Sequence, residues 1–201
     1  MRTLHRAALL VADPAAPPVP DGAVLVDGDR VAALGRYGDL AAADPGARVR
    51  DWPGLLVPGL ANPAGARLLE GRYHPDPREE LGAEPLDVPV SEEQRGGSAR
   101  RGLQRMLGHG TTAVAGPFTL PAVRTAVARS GLAALPGDGA DGGLDPLAGR
   151  PLAQAVHRPL AVGAPADFAV FAAGSVEELE AAGAGCCLAT VLAGRLVYRR
   201  R

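Results

Sequence analysis

The chain has 201 residues, a formal net charge of −1 and an apolar fraction of 47%, with aromatic residues at only 3%, which suits one globular domain or two small ones. It has no Lys, and its only basic run is Arg199 to Arg201, so the composition argues against a nucleic-acid-binding protein. No apolar run approaches the ~20 residues that span a bilayer, and the N-terminus lacks the apolar region of a signal peptide, so we expect a cytoplasmic protein without a membrane partner.

The N-terminal third of the sequence predicts a small β structure. The predicted elements are, in chain order, a strand at 4–11, hairpin strands at 23–26 and 29–34, a helical turn at 39–43 and a strand at 49–52. Asp27-Gly28 lies between the hairpin strands, and this dipeptide favours the positive φ angles of a type I′ turn. Pro53-Gly54 then marks the end of the last strand.

Three short motifs in this region carry the most specific signal in the chain. They read Asp27-Gly-x-Arg-Val-x-x-Leu-Gly35, Asp51-x-Pro-Gly54 and Leu56-Val-Pro-Gly-Leu-x-Asn62. Together, in this order and at this spacing, they resemble the segment that opens members of the amidohydrolase superfamily, which includes imidazolonepropionase and the aminodeoxyfutalosine deaminases. The resemblance implies that these strands form half of a composite β domain and lead into a metal-bearing barrel.

The C-terminal region is similar to the other half of that composite domain. Gly163-x-x-Ala-Asp167 precedes an apolar strand, and Ser175 with Glu178 has the capping-box spacing that begins a short helix. A closing hairpin follows around Ala193-Gly194. The resemblance implies that the two chain ends pair in one sheet system, which also avoids leaving the entry strands with exposed edges.

The middle of the chain is too short for the barrel of the superfamily. A (β/α)₈ barrel typically needs about 250 residues, so residues 59–150 can supply only a barrel remnant. Its predicted elements are a helix from Ser91 to Gly108, a strand at 110–114, a helix at 120–130 capped by Gly131 and a strand at 132–135. The Gly-rich segment 136–143 is predicted to be a flexible joint.

The sequence therefore predicts a mixed α/β fold in two parts. Residues 1–58 and 151–201 are assigned to a composite β-sandwich domain, and residues 59–150 are assigned to the truncated β/α barrel. Isolated half-barrel units would expose apolar faces, so we expect self-association or docking on another protein, with a second copy or a complete amidohydrolase as partner.

The metal ligands of the superfamily are missing from this chain. The resemblance places a His-x-His pair at positions 64 and 66, where this sequence has Ala64 and Ala66. Residues i and i+2 of a strand face the same side, so two histidines there would reach one ion, but a methyl group donates no electron pair. The later ligands fall in the missing part of the barrel. We therefore assign no catalytic, cofactor-binding or metal-binding residue and expect no cofactor.

Other potential metal ligands are histidines, carboxylates and cysteines elsewhere in the chain. His74 and Asp76 have i, i+2 spacing near Glu79 and Glu80, but two prolines predict an irregular, solvated loop there. His109 is expected to form a local hydrogen bond, and His5 and His157 are isolated in the sequence. The segment from Asp138 to Asp141 lacks the closing Glu of a calcium loop. The adjacent Cys186 and Cys187 are expected to point to opposite faces of a strand, so they do not have the spacing of a metal site.

Three functions are compatible with these observations. The favoured one is a degenerate, non-catalytic amidohydrolase-like protein that acts as a structural or regulatory partner. The second is a metal-dependent hydrolase or deaminase of non-peptide C–N bonds with an unusual site around His74. The third is a small-molecule binding module that uses the cavity between the sheet and the barrel remnant.

Overall fold

Strands from both ends of the chain form one mixed sheet of seven strands. The computed structural model describes residues 2–200. Within them the sheet order is β10-β9-β8-β4-β1-β2-β3. The strands are β1 Thr3–Leu10, β2 Val19–Asp27, β3 Arg30–Arg36, β4 Arg48–Pro58, β8 Phe168–Phe171, β9 Cys187–Leu192 and β10 Arg195–Arg199.

The pairing of β4 with β8 joins the two chain ends. Leu55 lies opposite Phe171 and Pro58 lies opposite Phe168 in an antiparallel ladder. On its other side β4 runs parallel to β1, and the remaining neighbours in the sheet are antiparallel. The prediction that the N-terminal and C-terminal strands meet in one sheet is confirmed.

A second, smaller sheet lies in the middle of the chain. Its three strands are parallel, in the order β5-β6-β7, and helices connect them. The strands and helices outside the large sheet are β5 Leu60–Asn62, β6 Thr111–Ala115, β7 Ala133–Leu135, α1 Tyr37–Ala43, α2 Gly65–Gly71, α3 Glu92–Leu107, α4 Pro121–Ser130, α5 Leu152–Ala155 and α6 Val176–Ala182. None of the helices in residues 2–200 has the length and apolar character that crossing a bilayer requires.

Apolar side chains cover one face and one end of the parallel sheet. On one face, α2, α3 and α4 bury Leu68, Leu103 and Val127 against Val114 of β6. At the amino end of β6 the large sheet approaches so closely that a Cβ on Gly110 would lie 2.6 Å from the ring of Phe171. The expectation of exposed apolar faces concerns isolated half-barrel units, and within residues 2–200 the neighbouring elements bury most of the large apolar side chains of the remnant. The exposed large apolar side chains of the described residues are scattered, at Val49, Leu81, Val88, Val162 and Val197.

Three local predictions need correction. The β2–β3 turn is not type I′, because only Gly28 of its two central residues has a positive φ, at 62°. Strand β4 does not end at Trp52 but continues through Gly54, whose φ of 126° allows a bulge opposite β1. Cys186 precedes β9 in a 3₁₀ turn instead of lying on the strand with Cys187.

Candidate functional site

The carboxyl end of β5 is where the resemblance places the metal pair. Asn62 ends this strand and is fully buried. Its side-chain amide donates to the carbonyl oxygens of Gly143 and Leu144, at 3.0 and 3.2 Å, and its side-chain oxygen accepts from the backbone N–H of Ala64 at 2.9 Å. Asn62 thereby holds the segment 142–144 across the end of the strand.

Ala64 and Ala66 lie in apolar packing beneath that segment. Ala64 is 0% exposed and Ala66 is 7% exposed. Ala64 belongs to the cluster that contains Val114 and Leu144. A Cβ on Gly142 would come within 3.0 Å of the Cβ of Ala64. The chain itself therefore occupies the space beside Ala64.

The donor set at the ends of the parallel strands does not fit a divalent metal. A catalytic zinc generally needs three protein ligands with N, O or S donors. Here the positions after β5 are alanines, and β6 and β7 end at Ala115 and Leu135. Within residues 2–200, no three His, Cys, Asp or Glu side chains gather closely enough to hold a metal ion.

His74 is buried, which corrects the prediction of a solvated loop histidine. Its Nε2 lies 3.0 Å from the carbonyl oxygen of Leu68, and its ring packs against Gly102 of α3. Burial lowers the pKa of His74 to about 4, and the nearby Arg105 and Arg101 act in the same direction. Nδ1 has no hydrogen-bond partner among the described residues. His74 is therefore a neutral core histidine at pH 7.

The acidic neighbours of His74 are engaged in the structure of their own loop. Asp76 caps a 3₁₀ turn at Pro77–Glu79 by accepting from the backbone N–H of Arg78 at 3.0 Å. Glu79 accepts from the hydroxyl of Tyr73 at 2.6 Å. Neither carboxylate joins His74 in a common site, although their spacing in the sequence suggested one.

The remaining histidines are structural in the same sense. His109 Nδ1 lies 3.0 Å from the carbonyl oxygen of Arg105, which confirms the predicted local hydrogen bond. His5 is isolated in the sequence, but Trp52 donates from Nε1 to its Nδ1 at 3.2 Å. Burial, with a smaller effect of Arg50, lowers the pKa of His5 to about 3. Sequence analysis missed this pair, because no local pattern links residues 47 positions apart.

Asp167, which directly precedes β8, connects the turn after β9 with Arg158. Its Oδ1 accepts from the backbone N–H of Ala193 at 2.6 Å, and its Oδ2 contacts Arg158. Ala193 and Gly194 have φ angles of 47° and 72°, so the type I′ turn lies in this hairpin. The Asp of the Gly-x-x-Ala-Asp motif thus has a structural role. His157 lies near this ion pair, and burial lowers its pKa.

The two cysteines behave as small apolar residues. Burial raises the pKa of Cys187 to about 11 and also raises that of Cys186, so both are thiols at pH 7. Neither cysteine forms a disulfide bond in the described part of the chain. Low thiolate content makes them poor nucleophiles and poor metal ligands.

The comparisons with known proteins identify only distant structural relatives. No protein-family profile matches the sequence, and no curated protein matches it. Guanine deaminase from Bradyrhizobium japonicum aligns at 21% identity with a TM-score of 0.48, over 67% of this chain and 34% of that chain. Ochratoxinase from A. niger aligns at 20% identity with a TM-score of 0.46, over 68% of this chain and 30% of that one.

Aminofutalosine deaminase from Helicobacter pylori aligns at 17% identity with a TM-score of 0.40, over 57% of this chain and 27% of that chain. Two of these three solved structures are deaminases by name. The present chain spans about a third of their length or less.

Proposed function

We propose that this chain is a non-catalytic, amidohydrolase-like protein that serves as a structural or regulatory partner. In this proposal residues 1–58 and 151–201 correspond to the composite β-sandwich domain of the superfamily. Residues 59–150 correspond to a barrel reduced to three strands. The motifs from Asp27 to Asn62 and at Gly163 to Asp167 support this assignment.

One observation carries the proposal. The two positions where the resemblance places metal-binding histidines are buried alanines, and Ala64 packs against a segment that Asn62 holds in place. Replacing a ligand alone would leave an open pocket. Here both alanines are buried and Gly142 approaches Ala64 closely, so the donors are absent and the space beside Ala64 is occupied by the chain.

Metal analysis of the purified native protein tests the proposal. We expect zinc, iron and manganese well below one equivalent per chain, before and after incubation with each ion and desalting. We also expect no metal-dependent deamination or hydrolysis of purines, imidazolones and triazines. One tightly held equivalent that a chelator removes, together with turnover that depends on it, would refute the non-catalytic assignment.

The open edge of β7 supports self-association as the form of the partner role. Gly116 donates from its backbone N–H to the carbonyl oxygen of Leu135 at 2.8 Å, so the backbone N–H and C=O of Leu135 point toward β6. By the alternation of a parallel ladder, exposed Ala134 turns its N–H and C=O outward. β7 ends the sheet order and carries no charged residue or Pro that would block pairing. A second copy can pair with this edge.

Light scattering of the native chain and of Ala134→Pro tests that role. We expect a dimer for the native chain and a monomer for Ala134→Pro, because Pro removes the outward N–H while Ala133 and Leu135 keep their bonds to β6. A native monomer over the whole concentration range would contradict self-association, as would a dimer that survives the substitution. Association only after addition of a complete amidohydrolase would identify that enzyme as the partner instead.

A further inference from the structure

A groove rich in arginine lies between the barrel remnant and the large sheet. Its cavity volume is about 460 Å³. One wall is the C-terminal half of α3, and the other is the end of β10 with the residues after it. We call it the arginine groove and define it by the lining residues Glu84, Arg101, Arg105, His109, Tyr198 and Arg200.

The charges of the arginine groove are not balanced. Three guanidinium groups and one carboxylate line it, which leaves an excess of two positive charges. The ion pair nearest the groove joins Arg101 to Asp76, at 3.6 Å. No carboxylate of residues 2–200 forms a salt bridge with Arg105 or Arg200. Such an excess on a chain of net charge −1 is local and attracts anions.

Backbone carbonyl groups hold the three arginines in place. Arg101 donates from Nε to the carbonyl oxygen of His74 at 2.7 Å, and Arg105 donates from Nη2 to that of Pro75 at 2.9 Å. Arg200 donates from Nη2 to the carbonyl oxygen of Gly185. Guanidinium groups that are already fixed lose less conformational entropy when a ligand binds.

Arg105 lacks a complete set of partners. Its Nη1 is buried and makes no hydrogen bond to the described residues. Burial lowers the pKa of the Arg105 guanidinium, and the like charge of Arg101 adds to that effect. An anion beside Arg105 would supply the acceptor that its Nη1 lacks and would offset the repulsion between Arg105 and Arg101.

We propose that the arginine groove binds the phosphate group of a small molecule. A phosphate monoester carries close to two negative charges at neutral pH, so it is attracted more strongly than a monoanion to the excess positive charge of the lining residues, and guanidinium forks recognise its oxygens in pairs. The half-buried ring of Tyr198 lies 3.4 Å from the position that a Cβ on Gly108 would take, and it provides an apolar wall for the organic part. Neither Ala64 nor Ala66 lines the groove, although Leu144 of the segment that covers Ala64 does.

Calorimetric titration of the full chain with phenyl phosphate tests the proposal. We expect saturable 1:1 binding of phenyl phosphate with a dissociation constant below about 1 mM. Benzoate should bind more weakly, because a monoanion compensates only half of the excess charge. Inorganic phosphate is expected to compete. Absence of saturation at several millimolar would overturn the proposal, and benzoate binding as tight as that of phenyl phosphate would overturn the phosphate assignment.

A matched pair of variants locates the site. Arg200→Gln removes a guanidinium from the groove at an exposed position near the chain end, where folding is not at risk, and should weaken phenyl phosphate binding at least about tenfold. Arg195→Gln removes the same charge from the exposed start of β10, outside the groove, and should change the affinity less than about twofold. Equal effects of both variants would contradict the proposed site, because the attraction would then be general. An affinity that Arg200→Gln leaves unchanged would contradict it as well.

Discussion

At the scale of single residues, Gly102 decides whether His74 fits into the core. A Cβ at position 102 would lie 2.6 Å from Nε2 of His74 and 2.8 Å from a methyl carbon of Leu69. We expect Gly102→Ala to lower the free energy of unfolding by about 1–3 kcal/mol through overpacking, measured by urea denaturation. Gly96→Ala in the same helix is the control, because its nearest neighbour is 3.9 Å away, and it should be neutral or stabilising by up to about 1 kcal/mol. Equal effects of the two substitutions would contradict this packing.

The buried histidines make stability depend on pH. The pKa of His5 is lowered to about 3 and that of His74 to about 4, both below the ~6.5 of an unfolded histidine. Between these values the unfolded chain binds more protons than the folded one, so the free energy of unfolding falls as the pH falls below about 6.5. Above that pH both forms are neutral, and these groups cause no change.

The effect at pH 5 is measurable by denaturation. At ~1.4 kcal/mol per pH unit, each histidine destabilises the fold by about 2 kcal/mol between pH 7 and pH 5. His5→Gln keeps an acceptor for Trp52 Nε1 and should remove about half of the total loss. A variant whose stability falls between pH 7 and pH 5 as steeply as that of the native chain would show that His5 is not buried in its neutral form.

The residue scale is also where sequence analysis was weakest. Ala64 and Ala66 could be singled out from the motif, but their burial under the segment 142–144 could not, because it depends on contacts almost 80 positions apart. His74 was predicted to be solvated from two flanking prolines and acidic neighbours. Gly102, which makes room for it, carries no sign of that role in a helix that also contains Gly96 and Gly97.

At the scale of elements, the segment that covers β5 depends on one side chain. Asn62 satisfies two carbonyl groups and one N–H, and Ala at this position would leave these buried groups without partners. We expect Asn62→Ala to lower the free energy of unfolding by about 1–3 kcal/mol and to speed hydrogen exchange of the 142–144 amides. Asp138→Ala, an exposed change in the same loop, should alter neither. Unchanged exchange in Asn62→Ala would contradict the role of Asn62.

Element positions followed well from local signals. Ser91 accepts from the N–H of Gln94 at the start of α3, and Gly131 ends α4 with a φ of 81°, as the capping patterns predict. The missed elements are α2 and α5, which have 7 and 4 residues and no capping side chain. Short helices of this kind form because tertiary packing holds them, which a local pattern does not reveal.

At the scale of the whole molecule, the pairing of β4 with β8 joins the strands of the two chain ends into one sheet. It was predictable from the superfamily motifs and from the cost of unpaired strand edges. The packing of the barrel remnant on the large sheet was not predictable, because it depends on contacts between distant parts of the chain. Phe171 of β8 and Leu192 of β9 pack in the same apolar clusters as residues of the remnant.

The central claim is that no catalytic metal binds at the positions of Ala64 and Ala66. The most direct test is zinc-dependent C–N bond hydrolysis, assayed in the native chain and in the folded fraction of Ala64→His with Ala66→His. We predict no metal-dependent turnover in either protein, because two histidines remain too few ligands for a catalytic zinc. Turnover in the native chain would contradict the non-catalytic proposal. Turnover in the double variant but not in the native chain would contradict the claim that the missing part of the barrel, in addition to the two alanines, prevents catalysis.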